Sequence, residues 1–80
     1  MTWTYRFQEA EIDGLYLANE FYLNMVSHQG KWRIDSAFYI RKGRRATTRE
    51  LALFAIWLDD PAVQAQLTTE HDEEQAERTR

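Results

Sequence analysis

Residues 15–26 read LYLANEFYLNMV, and the fold turns on whether they form helix or strand. Ile12, Leu15, Asn19, Tyr22 and Val26 have helical spacing, and the segment holds good helix formers. Leu15, Leu17, Phe21, Leu23 and Met25 also alternate, broken only at Asn19. The next segment decides between the two. KWRIDSAFYIR, residues 31–41, sets Trp32, Ile34, Phe38 and Ile40 against Lys31, Arg33, Asp35, Tyr39 and Arg41, which is strand alternation. SHQG, residues 27–30, joins the two segments as a four-residue hairpin loop. Closing that loop sets Met25 opposite Trp32, Leu23 opposite Ile34, Asn19 opposite Phe38 and Leu17 opposite Ile40. Tyr16 then faces Arg41, Ala18 faces Tyr39, Tyr22 faces Asp35 and Asn24 faces Arg33. One register sorts both strands into an apolar and a polar face, which favours strand over helix.

The flanking segments complete the plan. TWTYRFQ, residues 2–8, alternates with Trp3, Tyr5 and Phe7 on one side, and the Asp13-Gly14 pair after it marks a tight turn. Thr47 followed by Glu50 is a capping-box signature that opens a helix carrying Leu51, Phe54, Ala55 and Leu58 on one face. Asp60-Pro61 restarts the chain as a second, shorter helix with Val63 and Leu67. From Thr69 onward only Ala76 is apolar, so a frayed acidic tail is expected there. The predicted class is α+β: a three-stranded antiparallel sheet packed on a C-terminal helix, with a second short helix. Residues 1–68 form the compact domain and residues 69–80 the disordered tail. The helix would cover Trp3, Tyr5, Phe7, Leu17, Phe21, Leu23, Met25, Trp32, Ile34, Phe38 and Ile40.

Charge is divided into blocks. Residues 31–49 hold seven basic side chains against Asp35, whereas residues 50–80 hold two arginines against eight carboxylates. Such segregation carries more information than the net charge of -3. The basic block places Lys31, Arg33, Tyr39 and Arg41 on the open sheet face, with Tyr16 and Tyr22 on the neighbouring strand and Arg6 as an extension. Lys42, Arg44 and Arg45 follow in the turn RKGRR, and Arg49 sits in the helix's first turn. Rings interleaved with positive charge suit phosphate and base, while the same residues also serve simply to keep a sheet face soluble. Three strands backed by a helix resemble, in outline alone, small sheet-type DNA readers and the double-stranded-RNA-binding domain, with none of their signature residues.

The inventory for chemistry is thin. With no cysteine there is no thiolate, disulfide or cysteine-bound zinc. Ser27 and His28 adjoin without an orienting carboxylate, which leaves them as loop residues. His71, Asp72, Glu73 and Glu74 lie on the expected tail, which offers a metal no rigid frame. GRRATT, residues 43–48, lacks the spacing of a phosphate loop, although the helix start beside Arg44, Arg45 and Arg49 suits an anion. No cofactor is called for. The N-terminus has no basic-then-apolar leader and the longest apolar run, LALFAIWL at 51–58, is too short for a bilayer, so a cytoplasmic protein away from membranes is expected.

The functional expectation is a non-enzymatic protein-binding module, of the kind phages and mobile elements use to block a host enzyme or complex. Leu53, Ile56 and Trp57 are surplus to the helix's first apolar face and available to a partner or a homodimer. The alternative is a nucleic-acid binder using the basic sheet face and the 41–45 turn.

Overall fold

The computed structural model describes residues 1–78. Strands β1 (Thr2–Phe7), β4 (Phe21–His28), β5 (Lys31–Tyr39) and β6 (Arg44–Arg45) form an antiparallel sheet in the order β1-β4-β5-β6. Strands β2 (Ala10–Ile12) and β3 (Leu15–Leu17) form a separate two-stranded ribbon. Helices α1 (Thr48–Leu58) and α2 (Pro61–Arg78) follow. The class is α+β, and the three-stranded plan is corrected to this four-plus-two arrangement.

The segment 15–26 is extended but not one strand. Asp13 and Gly14, at φ 52° and 79°, turn the chain so that Leu15–Leu17 pairs back on Ala10–Ile12. A tight local hairpin closes at small entropic cost, and here it holds these residues outside the larger sheet. Leu17 therefore faces Ala10 and not Ile40, and the large-sheet pairing begins at Phe21.

The β4–β5 hairpin is also tighter than SHQG suggested. Ser27 and His28 belong to β4, and the turn is Gln29-Gly30, at φ 53° and 76°. Two left-handed residues match the twist of the strands they join. The register moves by two, so that Met25 faces Ile34 and Ser27 faces Trp32. It then slips once more: Met25 pairs with Ile34 but Asn24 pairs with Ser36, leaving Asp35 as the extra residue of a β-bulge. Beyond the bulge the faces of β5 exchange. Ala37 and Tyr39 turn into the core and Phe38 turns out, against expectation. Without the bulge Ser36 would point inward with a hydroxyl to satisfy. With it, Ser36 meets Asn24 on the outer face at 2.9 Å.

The core lies between the sheet and the helices. Phe7, Phe21 and Phe54 meet edge to face, with Phe54 about equally near the other two at 5.0 Å. The capping box is present: Glu50 N–H donates to Thr47 Oγ1 at 3.2 Å and Thr47 N–H donates to Glu50 Oε1 at 2.8 Å. Leu53 and Trp57 pack against the core and are not surplus, Trp57 lying 5.2 Å from Phe7.

Asp60 caps the start of α2 by accepting from Ala62 N–H at 2.9 Å. The helix then runs unbroken past residue 68 to Arg78, where a frayed tail was expected. Residues 79 and 80 of that expected tail lie outside the described residues. Tryptophan explains the difference. The Trp32 indole N–H donates to Thr68 at 3.2 Å and the Trp3 indole N–H to Glu74 at 2.8 Å. Buried His71 fits against both rings, with centroids 5.3 Å from Trp3 and 5.1 Å from Trp32. Counting apolar residues missed a helix held by polar acceptors for buried indoles. Gln64 adds a third link. Its Oε1 accepts from Trp32 N–H at 2.8 Å, while its Nε2 donates to the Trp32 carbonyl at 3.0 Å and to the Leu58 carbonyl at 2.9 Å.

Replacing Gln64 by Ala strips partners from three backbone groups and is expected to cost about 2–4 kcal/mol in chemical denaturation. Ending the chain at residue 68 removes His71 and Glu74 from the two tryptophans. It is expected to lower the denaturation midpoint and red-shift tryptophan emission, and an unchanged midpoint and spectrum would show that the end of α2 contributes nothing.

Candidate binding face

The sheet face turned away from the helices is open. Four strands place one residue each in a row across it: Arg6 on β1, Tyr22 on β4, Phe38 on β5 and Arg45 on β6. Tyr22 and Phe38 are direct cross-strand partners, 42% and 39% exposed. The next row is polar and already ordered. Thr4 Oγ1 donates to Asn24 Oδ1 at 3.0 Å and Asn24 Nδ2 donates to Ser36 Oγ at 2.9 Å. Thr4, Tyr22, Asn24, Ser36, Phe38 and Arg45 line a shallow concavity of about 430 Å³. Val26 and Arg33 continue the face toward the hairpin end.

The expected site residues divide between this face and other places. Tyr22, Arg33 and Arg45 lie on it. Arg41 and Lys42 are exposed in the turn between β5 and β6. Lys31, at the end of β5, reaches Asp59 at 3.6 Å. Arg49 is exposed on α1. Tyr16 sits on the β2–β3 ribbon, bonded through its hydroxyl to Glu9, and does not neighbour Arg41 as the expected register required. Tyr39 is corrected to the core: it is 8% exposed and lies 4.7 Å from Phe21. Phe38 takes its place outside, and it was missed because strict alternation put it inward.

Arg44 turns away from the open face. Its guanidinium lies 4.9 Å from the Tyr39 ring centre and bonds Glu50 at 2.9 and 3.4 Å. The Arg44 hydrogen bond, followed by the bonds from Thr47, holds the Glu50 carboxyl below its usual range. The expected anion site at the start of α1 is therefore filled by the chain's own carboxylate. Arg6 is bonded to Glu20, which raises its already high pKa. Arg33, Arg41, Lys42 and Arg45 are exposed cations outside these two ion pairs, and Asp35 is an exposed carboxylate beside Thr4, Asn24 and Val26.

The carboxylates of α2 sit at the far edge of the sheet. Glu70, Glu73, Glu74 and Glu77 line a concavity of about 400 Å³ with Trp3, Tyr5 and Arg6 of β1. Three strand spacings, roughly 14 Å, separate β1 from β6. The two histidines do not meet: His28 is exposed at the end of β4 and His71 is buried under α2. Among the described residues no three His, Asp or Glu side chains converge as metal ligands, and no helix is long and apolar enough to cross a membrane. Comparison with family models, curated proteins and solved structures gives no match.

Because the folded Glu50 carboxyl is depressed, the stability it adds is fully present above the ordinary carboxylate pKa and fades as pH falls through the lower folded value. Arg44→Ala is expected to move the Glu50 titration, followed by NMR, upward toward the ordinary range. An unmoved titration would mean that Arg44 does not set it.

Proposed function

We propose that the protein is a non-enzymatic binding module that grips an anionic patch on another protein with the open face of its sheet, as an accessory protein or inhibitor would. The row Arg6–Tyr22–Phe38–Arg45 carries this reading. Tyrosine, phenylalanine and arginine are the residue types that dominate the centres of protein interfaces, where rigid rings lose little entropy on burial. Tyr22 and Phe38 stand on the two central strands, so the backbone beneath them is paired on both sides. The Thr4–Asn24–Ser36 row offers polar groups whose orientation is already set. Arg45, Arg33, Arg41 and Lys42 supply the positive charge, while Glu74 of α2 and Asp35 border the face beside Thr4, Asn24 and Val26.

The same separation of charge favours a second reading, single-stranded nucleic acid on the Tyr22–Phe38 pair, since bases stack on exposed rings and phosphates follow arginines. One experiment distinguishes the two. A photo-crosslinking residue at position 38, with a control at exposed position 66 on α2, is introduced into the full chain and irradiated in the presence of host extract. The protein reading expects a discrete crosslinked protein from position 38 alone, abolished by Arg45→Glu. If the position-38 probe labels nucleic acid, or labelled single strands bind with a salt slope that Arg45→Ala flattens, the second reading replaces the first. With neither product the sheet face is not a binding site.

A further inference from the structure

Helix α1 presents a second surface, on the opposite side of the molecule. Phe54 and Leu58 point into the core, and Leu53 and Trp57 pack beside them. The outward side carries Ala52, Ala55 and Ile56, flanked by Leu51. Leu51 is 39% and Ile56 45% exposed, so the apolar surplus of this helix lies on these residues and not on Leu53 and Trp57.

The stripe is complementary to itself in size. Along the helix it runs large, small, small, large: Leu51, Ala52, Ala55, Ile56. A second copy turned through 180°, its α1 antiparallel to the first, brings each Ile56 over Ala52 of the other copy. The same rotation brings each Leu51 over Ala55 of the other copy. Alanines let the two backbones approach while the branched side chains fill the space beside them. Ala55 also borders a groove of about 440 Å³ between α1 and β5, lined by Ile34, Leu51 and Leu58 together with the charged Lys31, Arg33, Asp35 and Asp59, into which Leu51 of the second copy would project.

The stripe is also complementary to itself in charge. Arg49 precedes it and Asp59 and Asp60 follow it, all exposed, although Asp59 is shared with Lys31 of its own chain at 3.6 Å. The antiparallel arrangement places each Arg49 beside the aspartates of the other copy, and the two helix dipoles run head to tail. A parallel arrangement would put like charges together at both ends. We propose that the protein forms a two-fold dimer through antiparallel α1 helices. One pair of three-turn helices falls short of the roughly 800 Å² per partner of a standard interface, so the dimer is weak and depends on concentration. It leaves the open sheet face of both copies free, and it does not rest on the function proposed for that face.

Sedimentation equilibrium of the full chain over a concentration series tests it. The wild type is expected to approach twice the chain mass at high concentration. Ala52→Glu is expected to remain monomeric, with circular dichroism showing the fold retained. Arg49→Glu and Asp59→Arg are each expected to weaken association roughly tenfold, because the two-fold axis repeats each lost pair. The double variant R49E/D59R exchanges the charges and is expected to recover association. A wild type that stays monomeric at millimolar concentration overturns the proposal. So does unchanged association in Ala52→Glu, or a double variant no better than the single ones.

Discussion

Asp35 is one residue more than β4 can pair, and the arrangement of β5 depends on that excess. Trp32 and Ile34 enter the core before the bulge and Ala37 and Tyr39 enter it after, so both ends of one strand serve the same hydrophobic layer. Two odd-looking placements follow. A phenylalanine stands in solvent on a central strand, and a tyrosine packs inside against Phe21. The bulge also sharpens the local twist, which curves the open face where the Thr4, Asn24 and Ser36 side chains meet. Core and candidate face thus have a common origin in a single unpaired residue.

The helices are attached by directional bonds as much as by burial. α2 has few apolar residues, yet it is fastened at Gln64, Thr68, His71 and Glu74 to two tryptophans on different strands. Two indole N–H groups and the backbone N–H and carbonyl of Trp32 would otherwise be enclosed without partners, and an unmet buried polar group costs more than a typical hydrogen bond returns. A small domain has a thin core, and specific contacts of this kind supplement it.

What was legible in the sequence was local. The β1 alternation, the Asp13-Gly14 turn, the Thr47–Glu50 box and the Asp60-Pro61 restart each depend on residues within a few positions of one another, and each is present. What was missed depends on distant partners. The bulge answers to Asn24 across the hairpin, although two successive polar residues, Asp35 and Ser36, interrupt the alternation and signal it. β6 exists because Tyr39 and Phe38 offer it an edge, which nothing in Arg44-Arg45 announces. The order of α2 beyond residue 68 follows from tryptophans more than thirty residues away. At the candidate face Tyr22, Arg33 and Arg45 were identified from alternation and charge. Phe38 was hidden by the missed bulge, and Arg44 was assigned to the surface because its partner, Glu50, had been spent on the helix cap alone.

Gln64 has a consequence beyond stability. Its carboxamide meets the N–H and carbonyl that Trp32 turns away from β4, occupying the position that the next strand of a growing sheet would take. On the other side of the bulge, β6 occupies the same edge at Phe38 and Tyr39. The stretch between is too short to template a long ladder. Strand addition, which propagates without limit into fibres, is thereby hindered along the β5 edge of the sheet.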